Sequence, residues 1–244
     1  MPHFFVKSNN INNNEIIIDD KENFNHISKS LRAKVGENLL LIDENQIQYE
    51  TVIFEISKNI IKCEIKNKYK SNRDLGFNLF LAQSPLRSDA QNFIIEKATE
   101  LGVRGIYPVV TENCVLKKSV IEAKIEKWQK CMYKASKQCE RAIVPICYEA
   151  SSLEDVLDKN FDKVLVMAER SCELCLKNYL IENPIEKNEN VLVIIGPEGG
   201  FSQKEFDFFK DKNLCLITLG DLILKAETAV VVALGNIIYE FNGR

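Results

Sequence analysis

The hydrophobic rhythm of the chain changes once, near residue 72, and that change limits the possible folds more than any single motif. Before it, short segments rich in Ile, Val, Phe and Tyr follow one another closely: Phe4–Lys7, Glu15–Ile18, Asn38–Asp43, Gln46–Ile56 and Ile60–Lys66. Asn-rich turns separate them, as in the closely spaced strands of a small barrel. One interruption, Asn23–Leu31, sets Phe24, Ile27 and Leu31 at helical spacing ahead of Gly36, which ends the segment. The stretch Lys66–Asp74 has no apolar period and reads as a linker. Beyond it, strands Asn78–Ala82, Gly105–Val110, Lys163–Met167, Asn190–Ile195 and Leu214–Thr218 alternate with helices, among them Ala90–Leu101, Ser119–Gln138 and Glu227–Phe241. That alternation predicts a mostly parallel sheet covered by helices. Residues 1–72 and 73–244 are therefore expected to form a barrel and an α/β domain.

Several function classes drop out on composition. Apolar runs such as Val191–Ile195 fall far short of the roughly 18 residues that suggest a membrane span. Met1–Phe5 lacks the pattern of a secretory leader, so a cytoplasmic protein is expected. Eight cysteines in that compartment read as buried, reduced hydrophobes. The one Cys-x-x-Cys, Cys172 to Cys175, has no second pair, and two histidines are too few for a closed zinc site. The same scarcity weakens a Ser-His-Asp or Cys-His hydrolase. The formal charge is −3, yet Lys117–Arg141 carries eight basic and three acidic residues, a local excess of 8 − 3 = +5. A basic stripe on an acidic protein is thus expected.

Two glycine-containing turns carry the clearest chemistry. The run Ile195-Gly196-Pro197-Glu198-Gly199-Gly200-Phe201-Ser202 follows a buried-strand pattern, and Ser202 with Glu205 forms a capping box that starts a helix. Glycines at the carboxyl edge of such a sheet let the backbone approach a ligand and present its amides; a plain strand-to-helix turn is the bland alternative. Neither a P-loop nor GxGxxG fits the spacing. Only 244 − 200 = 44 residues follow, too few for the further crossovers of a Rossmann domain. The second turn, Leu219-Gly220…Ile223-Leu224-Lys225-Ala226-Glu227, sets a charged pair before an apolar helix that should be buried on more than one side. Two such turns on one sheet would frame a single pocket. Farther upstream, Arg87 precedes a helix in which Glu96 and Glu100 share a face; with Lys97 beside them, a solvated face is the simpler reading. Arg141 ends the basic helix, where it would neutralise the helix terminus or hold a phosphate.

Four motifs in order, Lys97-Ala-Thr-Glu-Leu-Gly-Val103, Gln138…Arg141…Pro145, Ile195–Ser202 and Leu219-Gly…Ile223-Leu-Lys-Ala-Glu-Thr-Ala229, resemble those of the bacterial 16S ribosomal RNA (uracil(1498)-N3)-methyltransferases, members of the SPOUT class. The segment His26–Arg32…Gly36 resembles the start of their PUA-like RNA-binding barrel. The resemblance implies a C-terminal α/β domain with a deep trefoil knot, a homodimer through that domain, and S-adenosyl-L-methionine held in the knot loops. Carried over, donor contacts fall on Met167, Ala168, Glu169, Ile195, Gly196, Pro197, Glu198, Gly199, Gly200, Leu219, Gly220, Ile223, Leu224 and Ala229. Catalytic roles fall on Lys225, Glu227 and Arg87, and RNA contacts on Arg32, Gln138 and Arg141. The partner implied is 16S rRNA of the small ribosomal subunit, with no membrane and no metal. Two positions depart from the pattern: Lys225 and Asn113 stand where arginine is usual. Lysine keeps the charge without the two-pronged geometry. The alternatives are another knotted RNA methyltransferase, acting on ribose 2′-O or guanine N1, and a non-catalytic RNA- or ribosome-binding module.

Overall fold

A computed structural model describes residues 3–169 and 174–242, so Cys172 of the Cys-x-x-Cys lies outside the described residues. The chain forms two compact units: Met1–Asp74 with Ser136–Ile143, and Leu75–Ala135 with Val144–Arg244.

In the first unit, β1 (His3–Phe5), β2 (Ile11–Asn12), β3 (Glu15–Ile18), β4 (Asn38–Ile42), β5 (Ile47–Ser57) and β6 (Ile60–Lys70) form a sheet in the order β1-β4-β5-β6-β3-β2. Only β1 and β4 run parallel. Alternate side chains point to one side, so Ile16, Ile18, Leu39, Leu41, Ile61 and Cys63 fall in one buried cluster with Phe4, Ile27 and Ile53. β5 and β6 are joined by Lys58-Asn59, where Asn59 takes a positive φ of 68°, a conformation asparagine adopts more readily than most side chains. The expected linker is corrected: Lys66–Lys70 continues β6, and Asn67–Lys70 pairs with Ile47–Glu50, because the long partner strand supplies hydrogen bonds that polar side chains do not oppose. The helical interruption is α1 (Lys21–Asn25), capped by Asp20 and continued by a wider turn to Ser30. Arg32, with φ 53°, ends it, earlier than the expected Gly36.

Ser136–Ile143 belongs to this unit as a strap. Arg141 is 5% exposed and pairs with Asp74 at 3.2 Å. Glu140 pairs with Arg73, and Lys137 donates to Asn23 Oδ1 at 3.0 Å while lying 4.6 Å over the Phe4 ring.

The second unit holds a fully parallel sheet of β7 (Asn78–Gln83), β8 (Gly105–Pro108), β9 (Ile146–Cys147), β10 (Lys163–Met167), β11 (Asn190–Ile195) and β12 (Cys215–Ile217), ordered β12-β10-β11-β7-β8-β9. β9 goes beyond the strands expected; it forms because Gln129 receives the Cys147 N–H and donates to the Pro145 carbonyl, both at 2.8 Å. The helices are α2 (Ser88–Glu100), α3 (Lys118–Gln138), α4 (Leu153–Leu157), α5 (Leu176–Glu182), α6 (Gln203–Asp211) and α7 (Ala226–Asn242). The continuous apolar run of β11 reflects burial on both faces. Val191, Val193 and Ile195 pack with residues of α2 and α7, and Leu192 and Ile194 with Phe209 of α6 and Val156 of α4. α7 buries Val230, Ala233, Leu234 and Ile237 and leaves Tyr239 78% exposed, so its burial is one broad face. Burial pushes the thiols up to about 11 at Cys63 and about 12 at Cys147, which makes them packing residues and poor nucleophiles.

Candidate functional site

Parallel pairing lays Ile217, Met167, Ile195, Gln83 and Pro108 side by side across the sheet. The segments that leave β12, β10, β11, β7 and β8 therefore start from one row at the carboxyl edge. Along the chain the strands step outward from β7 to β8 to β9 and resume on the other side with β10 and β11, so the order reverses between β7 and β11. Such a reversal is where open α/β sheets bind ligands.

The β11 turn is held from several sides. Ser202 caps α6, its hydroxyl accepting from the Glu205 N–H at 3.3 Å while Glu205 Oε2 accepts from the Ser202 N–H at 2.7 Å, as the capping pattern predicts. Glu205 Oε1 also accepts from the Glu112 N–H at 3.0 Å, and the Asn113 amide donates to the carbonyls of Gly199 at 3.3 Å and Gly200 at 3.1 Å. A Cβ on Gly199 would stand 3.1 Å from Asn113 Cβ, and Gly200 has φ +68°, so both positions favour glycine. Gly200 N–H closes the turn on the Pro197 carbonyl at 2.9 Å. The backbone N–H groups of Glu198, Gly199 and Phe201 make no hydrogen bond among the described residues. Ile195, Gly196 and Pro197 are buried beneath them, and Glu198, Gly199 and Gly200 are exposed.

The β12 turn is tied to the segment after β10. Thr218 donates its N–H to Leu174 at 2.9 Å and receives that of Leu176 at 3.1 Å, and Glu169 Oε1 accepts the Leu224 N–H at 2.8 Å. The Thr218 hydroxyl also bonds both the N–H and the carbonyl of Gly220, which sits at φ +135°. Glu169 thus joins the two segments. Met167 and Ala168 are buried below, Ala229 is buried in the first turns of α7, Leu219 and Leu224 are half-buried, and Ile223 is 61% exposed.

Three charged groups lie at this edge or at the helix mouths beside it. Arg87 immediately precedes α2 and is exposed, Lys225 immediately precedes α7 and is exposed, and Glu227 is half-buried in the first turn of α7. None of the three makes a hydrogen bond or ion pair among the described residues. A carboxylate in a first helical turn is also favoured by the helix dipole. By contrast, Glu96 and Glu100 both bind Lys97, at 2.7 and 2.9 Å, and hold its amine above its ordinary pKa; they form the solvated ionic face.

Among the residues expected to touch RNA, Arg32 and Gln138 are exposed. Arg141 is a correction: its guanidinium is buried against Asp74, so it holds the first unit together and is not offered to a phosphate. The basic stripe survives in part, since Lys127, Lys130 and Lys134 are exposed along α3, whereas Lys137 turns inward. Sequence reasoning missed the work of Asn113, Glu112 and Glu205 on the β11 turn, and the buried Ser84–Thr111 hydroxyl pair at 2.7 Å. The capping box was a visible signal for one side of Glu205; nothing local signals its partner 93 positions away.

Comparison with known proteins agrees with this geometry. A family model described as "RNA methyltransferase domain" matches residues 73–238, and one described as "RNA methyltransferase PUA domain" matches residues 18–66. The chain is 32% identical over 217 residues to the ribosomal RNA small subunit methyltransferase E of Mesomycoplasma hyopneumoniae, covering 88% of this chain and 90% of that one. It is 29% identical over 235 residues to the protein of the same name from Rickettsia conorii, covering 96% and 93%. Among solved structures, a ribosomal RNA small subunit methyltransferase E from Neisseria gonorrhoeae, bound to S-adenosyl methionine, superposes with a TM-score of 0.82 at 25% identity, covering 97% of this chain and 96% of that one. The parallel sheet and the N-terminal PUA domain agree with the SPOUT-type architecture that the resemblance implied.

Proposed function

This chain belongs to the RNA methyltransferase family, and from that premise we propose that it methylates N3 of a uracil in 16S ribosomal RNA, at the position numbered 1498, with S-adenosyl-L-methionine as donor. One observation carries the reading: two glycine turns rise from the two strands that flank β10 in one strand row, one with unpaired backbone N–H groups, and unpaired charged groups stand beside them.

The residues present suit such a donor. Its adenosyl part needs apolar surface and backbone hydrogen bonds, which Met167, Ala168, Ile195, Pro197, Leu219 and Leu224 and the amides of Glu198, Gly199 and Phe201 would supply. At Gly200 and Gly220 a Cβ would meet nothing within 4 Å, so space for a ligand lies open there. Bound in that place, S-adenosylmethionine supplies an electrophilic methyl group.

The remaining chemistry belongs to the chain. Uracil N3 lies on the Watson–Crick edge and carries a weakly acidic proton, so the base has to be unpaired and deprotonated to attack. Lys225 and Arg87 stabilise the developing uracil anion or the phosphate next to it, and Glu227 accepts the N3 proton or orients the group that does. Arg32, Gln138 and the exposed lysines of α3 bind the RNA backbone through charge and hydrogen bonding. The exposed apolar side chains Leu222, Ile223 and Tyr239 support a homodimer through the second unit. No helix among the described residues is long and apolar enough to cross a membrane, and a ribosomal substrate implies work in the cytoplasm.

Mass mapping of small-subunit rRNA from cells lacking the protein tests the reading. A missing N3-methyluridine is the expected outcome. Loss of a different methyl group would point to another RNA base or ribose, and an unchanged methylation map would leave only a binding module.

A further inference from the structure

We propose that Asn113 is a positioning residue for the methyl-donor turn, setting the direction in which the turn presents the Phe201 amide. The inference rests on the reading of Gly196–Gly200 as donor-binding.

In a planar trans peptide the carbonyl and the following N–H point in opposite directions. The Asn113 side-chain amide donates to the carbonyls of Gly199 and Gly200 at 3.3 and 3.1 Å. Holding the Gly200 carbonyl toward Asn113 turns the Phe201 N–H away from it, and that N–H has no partner among the described residues. Holding the Gly199 carbonyl in the same way directs the Gly200 N–H into its 2.9 Å bond with Pro197, which closes the turn. One side chain thereby fixes two successive peptide planes.

The clamp is itself anchored on both flanks. Glu112 N–H donates to Glu205 at 3.0 Å, Cys114 N–H to the Thr111 carbonyl at 3.1 Å, and the Thr111 hydroxyl bonds buried Ser84. Ser84 N–H in turn donates to the Ile195 carbonyl at 3.1 Å, at the base of the same turn. The loop that carries Asn113 is therefore tied to the start and the end of the segment it holds. Gly199 completes the arrangement, since the two Cβ atoms would lie 3.1 Å apart if it were alanine. A primary amide suits this place because it donates two hydrogens, whereas a carboxylate donates none. Asn113 is exposed, so its replacement leaves the hydrophobic clusters intact.

The discriminating variant is Asn113→Asp, which keeps the shape, removes both donors and sets carboxylate oxygens against carbonyl oxygens. Calorimetric titration of the full-length variant with S-adenosylmethionine is expected to show a Kd raised roughly tenfold, with Asn113→Ala behaving alike. The thermal midpoint and RNA affinity should stay at wild-type values, and in turnover the loss should fall on KM for the donor. Hydrogen exchange of the Gly200 amide, whose bond to the Pro197 carbonyl depends on the clamp, should accelerate in the ligand-free protein while that of Val193 in β11 does not. Wild-type donor affinity in Asn113→Asp, or an unchanged Gly200 exchange rate, overturns the proposal while leaving the donor site in place. Failure of the wild-type protein itself to bind the donor overturns the reading of the turn and this inference with it.

Discussion

The strap at Ser136–Ile143 and the row of strand ends in the second unit hold similar residue types in opposite states. In the strap every charge is committed: Lys137 to Asn23 and the Phe4 ring, Glu140 to Arg73, Arg141 to Asp74. Burial also lowers the pKa of the Lys137 amine. At the strand ends and the helix mouths beside them, Arg87, Lys225 and Glu227 are unpaired among the described residues, and the carboxylates that are tied there, Glu169 and Glu205, accept from backbone N–H groups. Charge in the strap maintains a fold; these three charges at the row are left available for something that is not protein. A basic residue beside a glycine turn and a basic residue at a helix end look alike in a sequence, and burial alone separates them.

Four experiments would break or sharpen that contrast. The largest effect is expected at the strap: Arg141→Ala removes the buried partner of the Asp74 carboxylate and should lower unfolding stability by about 3–5 kcal/mol in denaturant titration, with the S-adenosylmethionine affinity of the folded variant unchanged. Equal stability of this variant and wild type would return Arg141 to the pool of RNA ligands. Next comes Lys225→Met, where stability should hold and the methyl-transfer rate should fall on the order of 10²-fold in single-turnover assays, the usual loss when a charge-stabilising group is removed; an unaltered rate would place the catalytic charge elsewhere. Arg32→Ala is a smaller perturbation: the slope of log K against log salt for RNA binding should flatten by roughly 0.7–0.9, as for one lost phosphate contact, and a slope identical to wild type would remove Arg32 from the interface.

The smallest effect concerns pH. His3 is 6% exposed, neither ring nitrogen has a partner among the described residues, and burial followed by Arg73 and Lys137 lowers its pKa to about 4. The unfolded chain, with histidine near 6.5, therefore binds more protons between pH 4 and 6.5. Stability should be complete above pH 6.5 and decline toward pH 4 with a slope of at most one proton, tempered by partial solvent screening. Replacing His3 by Leu should remove that part of the slope, as read from denaturation midpoints across the range.

The sequence disclosed most where a pattern was local. The apolar run Asn190–Ile195 and the Ser202–Glu205 box each lie within a few residues, and strand, turn and helix start stand where expected. What escaped was short or distant. β9 is a two-residue strand held by Gln129, which is 18 positions away from the amide it receives. Lys66–Lys70 has no apolar period, so only its partner strand reveals it as β6. Arg141 meets Asp74 across 67 positions, and no spacing rule couples a helix end to a segment so far upstream. Asn113 stood out as a departure from a family pattern; its hydrogen bonds to residues 86 and 87 positions later did not.

The strand order also bears on how the chain assembles as it leaves the ribosome. β7 finds β8 within 22 residues of its end, and β9 joins that pair, so one half of the sheet can form early. β10 has no strand partner among residues already synthesised: its neighbours, β11 and β12, both come later. β11 alone joins the halves, pairing with β7 residues made 112 positions before it. Pairing at such separation is slow to form and exposes edges while it waits. The strand-end row that gathers the turns is thus completed only after β11 and β12 have been made, and a nascent chain stalled before Asn190 would carry all residues of the first unit and no place to bind a methyl donor.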